Sequence, residues 1–341
     1  MTASQYSRAG VDLVAGDAAK ERIGGLVAGT RTQWSLGQIG AFGGMVRVPP
    51  GLRSPVLVMS TDGVGTKVLV AMQAGVFDTV GEDLVNHSVN DILVHGAVPL
   101  AFMDYIAGHR LPTDMVLGIV EGIARGCKAH GMALAGGETA QMPGLYQERT
   151  FDLAGTIIGV VEEDVALHGH AIVPGDVLVA YASSGLHTNG YTLARAVLLD
   201  RMTLNLNDRV PGGDASVRDA LLAVHQSYAA AIRPALGLIH GLAHITGGGI
   251  AGNVIRVLPA GCGAVIDTGT WAWPALFQAI AQGGDVSVTE MRDVFNLGVG
   301  MIAVVPPHNV VAVQAAAAAD GIATWVCGTV RAGEHGVSFV P

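Results

Sequence analysis

Apolar and polar positions alternate along the chain with two periods, and the switches between them outline a series of strands and helices. Residues 56–60 (Val-Leu-Val-Met-Ser) form a short apolar run that predicts a buried strand ending at Thr61-Asp62-Gly63. Residues 80–95 carry helical spacing and stop at His95-Gly96. Residues 100–106 read as a strand. Residues 115–130 read as an amphipathic helix, with Asp114 near its start and Gly131 where a left-handed residue closes a helix. Strands at 132–135 and 152–161 follow. A polar, turn-rich stretch then runs to Val173-Pro174-Gly175-Asp176 and places a boundary near 165–175. It divides the chain into domains of residues 1–168 and 169–341.

The second half repeats the alternation. Strands are predicted at 177–182, 263–267, 299–305 and 323–330. Helices are predicted at 190–199, 217–232, 249–257, 275–281 and 309–319. This mixture is α/β (α+β), not all-α or all-β.

Composition removes several function classes. Of 341 residues, 50% are apolar and 14% charged, so the chain is not disordered. A net charge of −9 argues against nucleic acid as a partner, since that needs a phosphate-neutralising face. Mean hydropathy is positive (+0.46), which raises the question of a membrane. The longest stretch without Asp, Glu, Lys or Arg, Val294 to Ala319, is broken by Pro306-Pro307 and His308-Asn309. It predicts a strand, a turn and an alanine-rich helix, not a membrane span. Met1 to Gly10 has no apolar run of the secretory kind. Cys127, Cys262 and Cys327 have no metal spacing and read as buried thiols of a cytoplasmic protein.

Glycine is the compositional outlier, 48 residues, about twice its usual share. It clusters beside polar residues at strand ends: Gly37 to Gly44, Asp62 to Lys67, Gly136-Gly137-Glu138-Thr139, Ser183 to Gly190, and His244 to Gly249. Glycine lets backbone N–H groups approach a phosphate closely. None of these clusters is a P-loop, and none is a strand-borne GxGxxG with a following acid. Asp62, Asp91 and Glu138 lie at strand or helix ends, and one or two carboxylates plus phosphates are what Mg²⁺ favours. Lys67, one of only three lysines, follows Gly-Val-Gly-Thr and reads as a phosphate contact. Among twelve histidines, His187 and His244 sit in glycine loops and are candidate proton carriers. Structural roles are expected for His87, His95, His109, His130, His225 and His240, and surface-loop positions for His168 and His170.

At these motifs the sequence resembles the phosphoribosylformylglycinamidine cyclo-ligase (AIR synthetase) family. The matching segments are Tyr6 with Ala9-Gly10-Val11-Asp12, Gly40 to Gly44, Thr61 to Lys67, Val89-Asn90-Asp91-Ile92, Phe102-Met103-Asp104-Tyr105 and Gly136 to Ala140 with Met142-Pro143-Gly144. In the second half they are Ser184-Gly185-Leu186-His187 with Asn189-Gly190-Tyr191, Ala243 to Gly249, and Met291 with Phe295-Asn296-Leu297-Gly298. The resemblance implies ATP-dependent, Mg²⁺-dependent closure of an imidazole ring on a small ribonucleotide, through an iminophosphate. It implies two α/β halves, with a homodimer formed through the N-terminal sheets.

Carried over by position, Asp62, Asp91 and Glu138 would hold Mg²⁺. Gly63, Gly65, Thr66 and Lys67, with Asn90, Asp91, Gly137, Glu138 and Thr139, would face ATP. Gly40, Phe42, Gly43 and Gly44 would form a loop closing over it. Ser184, Gly185, His187, Asn189, His244, Thr246, Gly247 and Gly248 (with Gly249) would face the ribonucleotide. The catalytic set would be His187, His244, Asp62, Asp91 and Lys67. The chain departs from the family pattern at Gly24, at Asn86-His87, at Gln141, and at Thr188, which keeps a hydroxyl. The rival readings are another ATP-dependent phosphoryl-transfer enzyme of the wider superfamily, and a non-catalytic nucleotide-binding scaffold.

Overall fold

The structure, a computed structural model, describes residues 22–37, 40 and 42–341. The Tyr6 and Ala9–Asp12 motif and residue Ala41 of the glycine loop lie outside the described residues. The chain divides into two units: residues up to Ile92 with Val98–Glu163, and Leu93–Ala97 with Asp164–Pro341. The division at Glu163/Asp164 falls a few residues before the boundary read from the sequence.

In the first unit, short strands β1 (Ser35–Leu36) and β2 (Met45–Val46) pair with each other. The main sheet holds β3 (Pro55–Gly63), β4 (Val98–Gly108), β5 (Ala133–Gln141) and β6 (Phe151–Glu162) in the order β3-β6-β4-β5. Only β4 and β5 run parallel. The helices Asp78–Leu93 and Thr113–Ala129 bury Leu84, Ile92, Ile119 and Ile123 with Phe102, Leu153 and Ile157 of the sheet. The opposite face leaves Leu57, Met59, Met103 and Tyr105 exposed. Where the two helices cross, a methyl on Gly122 would run into the Asp78 carbonyl, and one on Gly81 into the Ile119 carbonyl. Gly126 likewise lies against Val85. Their missing side chains let the two helices pack closely, backbone on backbone at Gly81 and Gly122.

The second unit is built on a six-stranded sheet, β12-β9-β11-β7-β10-β8. Its strands are β7 (Val177–Ala182), β8 (Gly241–His244), β9 (Cys262–Asp267), β10 (Val299–Val305), β11 (Thr324–Ala332) and β12 (Val337–Val340). Every residue of β10 is buried, and the core includes Leu178, Ile266, Ile302, Cys262 and Cys327. β7 and β8 both run antiparallel to β10, on either side of it. Their C-terminal ends therefore lie at the same edge of the sheet, and so do the two glycine loops that follow them.

The predicted strands at 56–60, 100–106, 152–161, 177–182, 263–267, 299–305 and 323–330 are present, most of them longer. The uncharged stretch from Val294 folds as strand, turn and helix (Val310–Ala319). No helix of the described residues is long and apolar enough to cross a membrane. The helix Lys67–Ala74, strands β8 and β12, and the helix Val288–Val294 were not foreseen. The predicted helix 217–232 is broken. It is helical at Val217–Leu222 and again at Ala229–Ile232, with non-helical backbone between. Ser184 Oγ donates to the Val224 carbonyl at 2.6 Å, and Tyr228 Oη donates to the Ala182 carbonyl at 2.8 Å. These bonds dock the break onto the loop and strand beside it.

Candidate functional site

In the first unit the site begins where β3 ends. Asp62 Oδ1 accepts the Gly63 N–H at 2.7 Å, and its Oδ2 lies 2.7 Å from Nε2 of His87. Asp91, one helical turn beyond His87, places Oδ2 3.7 Å from the same nitrogen and accepts from Ser60 Oγ at 2.9 Å. Two carboxylates from different elements thus converge on one imidazole. Burial alone would lower the His87 pKa. The hydrogen bond to Asp62 and the charges of Asp91, Asp62 and Asp83 outweigh it and hold the ring above its ordinary value. Burial works to raise Asp62, but His87 and the Gly63 amide win and hold it low.

The sign of the resulting pH dependence follows. The His87 contribution is complete below about pH 6.5 and fades as pH rises through its raised folded value. The Asp62 contribution is present above about pH 4 and is lost as pH falls through its lowered folded value. In chelator-treated protein, the melting-temperature gap between wild type and His87→Gln is expected to be widest between these limits. A gap that grows steadily above pH 8 would contradict this.

Lys67 is a correction. Its Nζ lies 2.7 Å from Asp83 Oδ2, and neither side chain has any solvent exposure. In this structure it is a buried structural cation, not a phosphate contact at an open surface. The chain turns into the Lys67–Ala74 helix straight after Thr66, which carries the lysine inward against the neighbouring helix. Gly63, Gly65 (φ +55°) and Thr66 remain as the loop next to Asp62. Asn90 is fully buried behind it.

Asp62, Gly155, Asp104 and Gly137 stand in one row across the sheet. Three strand spacings separate the backbones of Asp62 and Gly137, about 14 Å. The three carboxylates therefore do not meet at one point, and Glu138 stands apart from Asp62 and Asp91. It lies with Gly137 and Thr139 at the wall of a separate cavity of about 430 Å³. Gly24, Gly40 and Gly44 line the same cavity, and Phe42 is fully exposed. Asp104 also lines it, and burial pushes its carboxyl up to about 7.

In the second unit the loops after β7 and β8 form the site. His187 is buried and held at φ +61°, an uncommon conformation for a residue with a side chain. The Ser184 N–H donates to its Nε2 at 3.4 Å, so a neutral His187 carries its proton on Nδ1. Ser183 Oγ donates to Asn296 Oδ1, and Asn296 Nδ2 donates to the Gly185 carbonyl. Asn189 Oδ1 accepts the Gly247 N–H at 3.0 Å and ties the two loops together. Its Nδ2 is buried without a hydrogen-bond partner among the described residues. Asn253 Nδ2 donates to the carbonyls of Thr246, Gly247 and Gly249 and sets the shape of the triple-glycine turn. Gly248 takes φ +92° there. A methyl on Gly300 of β10 would collide with Tyr228 and His187, so this glycine makes room for the His187 ring.

Several residues went unnoticed in the sequence although a signal was there. Asp83, His87 and Asp91 recur at four-residue intervals and so share one helix face. His87 belongs to the site, and its neighbour Asn86 pairs with His130. His225, read as structural, is packed against both His187 and His244. It lies in the unforeseen break of the 217–232 helix, where periodicity gave no hint.

Two family models match the chain. The family model "AIR synthase related protein, N-terminal domain" matches residues 44–161, and "AIR synthase related protein, C-terminal domain" matches residues 173–341. A phosphoribosylformylglycinamidine cyclo-ligase of Sorangium cellulosum is 49% identical over 95% of this chain and 94% of its own. One of Thermosynechococcus vestitus is 45% identical over 98% and 99%. Among solved structures, thiamine-monophosphate kinase from Stenotrophomonas maltophilia has a TM-score of 0.68 at 17% identity, covering 94% of each chain. The hydrogenase maturation protein HypE in complex with ATP has a TM-score of 0.61 at 18% identity, covering 90% of this chain and 84% of its own. These two likenesses are of fold.

Proposed function

Since the chain belongs to the AIR synthase family as a phosphoribosylformylglycinamidine cyclo-ligase, we propose that the Asp62–Asp91 cluster handles ATP and that the His187–His244 loops handle the ribonucleotide. The reaction is ATP-dependent closure of the imidazole ring of formylglycinamidine ribonucleotide, giving aminoimidazole ribonucleotide, ADP and phosphate, in purine biosynthesis.

The observation that carries the first assignment is the convergence of Asp62 and Asp91, from different elements, on one point at the His87 ring. Two carboxylates and a serine hydroxyl, beside the His87 ring, supply hard oxygen donors of the kind Mg²⁺ favours. Asp62 and Asp91 would hold the ion, which when bound neutralises phosphate charge. The Gly63 N–H holds the Asp62 carboxylate, and the loop at Gly65 and Thr66 would approach the phosphate with its backbone. The cavity bounded by Gly40, Gly44, Gly137, Glu138 and Thr139 would take the rest of the nucleotide, with the loop at Gly40 to Gly44 closing over it.

In the second unit Asn189 Nδ2 supports a ligand-facing role, since a buried amide donor is costly to leave unpaired. Phosphoryl transfer to the formyl oxygen forms an O–P bond while ADP leaves. The amidine-side nitrogen then attacks the activated carbon, the C–O bond breaks, and phosphate leaves with the electron pair. His187, with its proton on Nδ1, would donate to an oxygen and polarise it. His244 takes the proton that the attacking nitrogen loses. Such chemistry rests on positioning and charge more than on covalent catalysis.

The exposed apolar residues Leu57, Met59, Met103 and Tyr105 support a homodimer joined through the first sheet. The three buried free cysteines fit a cytoplasmic enzyme. Asp62→Asn is expected to lower turnover with formylglycinamidine ribonucleotide and ATP at least tenfold, about 1.4 kcal/mol or more. ADP release at saturating Mg²⁺ measures it, and a near-normal rate would reject the assignment.

A further inference from the structure

The two histidines of the second-unit loops are joined by a third. His225 has no solvent exposure. Its Nε2 lies 3.1 Å from Nε2 of His244. Its ring stacks on His187, with centroids 3.9 Å apart and planes 23° from parallel. Its Nδ1 lies 3.4 Å from Thr188 Oγ1.

A neutral imidazole has one N–H and one lone pair. Between two neutral rings that meet through Nε2, one nitrogen donates and the other accepts. When His225 Nδ1–H donates to Thr188, His225 Nε2 accepts from His244 Nε2–H, and His244 carries its lone pair on Nδ1. When the Thr188 hydroxyl donates instead, the order reverses and His244 carries N–H at Nδ1. The tautomer of His225 therefore decides whether the far nitrogen of His244 is a base or an acid.

We propose that His225 is a positioning residue for ring closure, holding His244 in the tautomer whose Nδ1 is basic. This rests on the reading of His244 as the proton acceptor. During closure the attacking nitrogen gives its proton to His244 Nδ1 as the C–N bond forms. The C–O bond breaks, and phosphate takes the electron pair. The resulting imidazolium keeps its Nε2–H bond to His225. The stack on His187 fixes the plane of the His225 ring, so the residue named as polariser and the residue named as base share one support.

The three rings also bring possible ligand nitrogens within 4.8 Å of one another. A metal ion, however, lies in the plane of each imidazole it binds. Two rings stacked at 3.9 Å and 23° cannot both aim an in-plane lone pair at one ion. The arrangement is that of a hydrogen-bonded chain.

The test uses the full chain labelled with ¹⁵N-histidine, with long-range ¹H–¹⁵N spectra reporting each ring's tautomer. In the wild type His244 is expected as a single tautomer protonated at Nε2. In His225→Ala that preference should be lost and kcat should fall about tenfold, with KM within about twofold; each 1.36 kcal/mol of barrier is tenfold. His225→Gln, whose amide oxygen can accept from His244 Nε2–H, should recover the tautomer and most of kcat, and it keeps the test valid if the alanine variant folds poorly. An unchanged His244 tautomer and kcat in His225→Ala would overturn the proposal. So would a stoichiometric transition metal whose removal changes all three ring signals. His244→Ala with full turnover would instead overturn the reading of His244 on which the proposal rests, and the His225 spectra tell the two failures apart.

Discussion

Asp83→Leu is expected to destabilise the protein by about 3–5 kcal/mol, the usual consequence of stranding one partner of a buried ion pair. Asp83 and Lys67 meet at 2.7 Å with no exposure of either side chain. Burial already pulls the Lys67 pKa below its ordinary value, and Asp83 is the group that opposes the pull. Without Asp83 the amine must lose its proton or draw water into the core. The double variant Lys67→Met, Asp83→Leu removes both charges and should regain most of the loss, because apolar replacements of buried pairs are often neutral or better. Urea midpoints of the two single variants and the double form a cycle that isolates the pair. A double variant as unstable as either single one would refute this account. Turnover should fall in Asp83→Leu as well, since Asp83 shares its helix face with His87 and Asp91.

The second large effect is expected at the helix crossing. Gly122→Ala is expected to cost about 3 kcal/mol, the upper end of ordinary overpacking penalties. The obstacle is the backbone carbonyl of Asp78, which cannot rotate away as a side chain would. Relief requires the helix Asp78–Leu93 to shift, and that helix carries His87, Asn90 and Asp91. Turnover should therefore drop beyond what the lost stability explains, when compared at a temperature where the variant is fully folded. Gly252→Ala is the control. Nothing lies within 4 Å of its missing side chain and its conformation is helical, so it should be neutral or slightly stabilising. Equal effects at both positions would reject the crossing argument.

The sequence made the fold class and most strands legible, because their apolar runs were long and bounded by turns. It also singled out glycine loops beside carboxylates and histidines; three of these clusters lie at the ends of β3, β7 and β8, whereas Gly136 to Thr139 runs within β5. What it hid was set by tertiary contact. Lys67 looked like a phosphate ligand because the distant Asp83 that buries it cannot be read from the residues around it. Glu138 looked like a neighbour of Asp62, yet the sheet order sets their strands, β5 and β3, at opposite edges. The helix 217–232 looked continuous because its apolar spacing is sound, yet bonds from Ser184 and Tyr228 hold the chain out of helix at His225. Asn253 belonged to no motif, and Asn296 lay in a matching segment but was given no role, although each supplies hydrogen bonds that shape a site loop.

The glycine surplus was traced first to loops that could approach phosphate. Part of it instead serves Gly81 and Gly122, where two helices lie backbone to backbone, and Gly126, which lies against the Val85 side chain. This has a consequence for the gene. All four glycine codons share their first two bases, and every change in those bases adds a side chain or ends the chain. At these positions the DNA is free to drift only in the third base, so an inherited record of silent substitutions should mark the crossing even where the neighbouring surface codons have been rewritten.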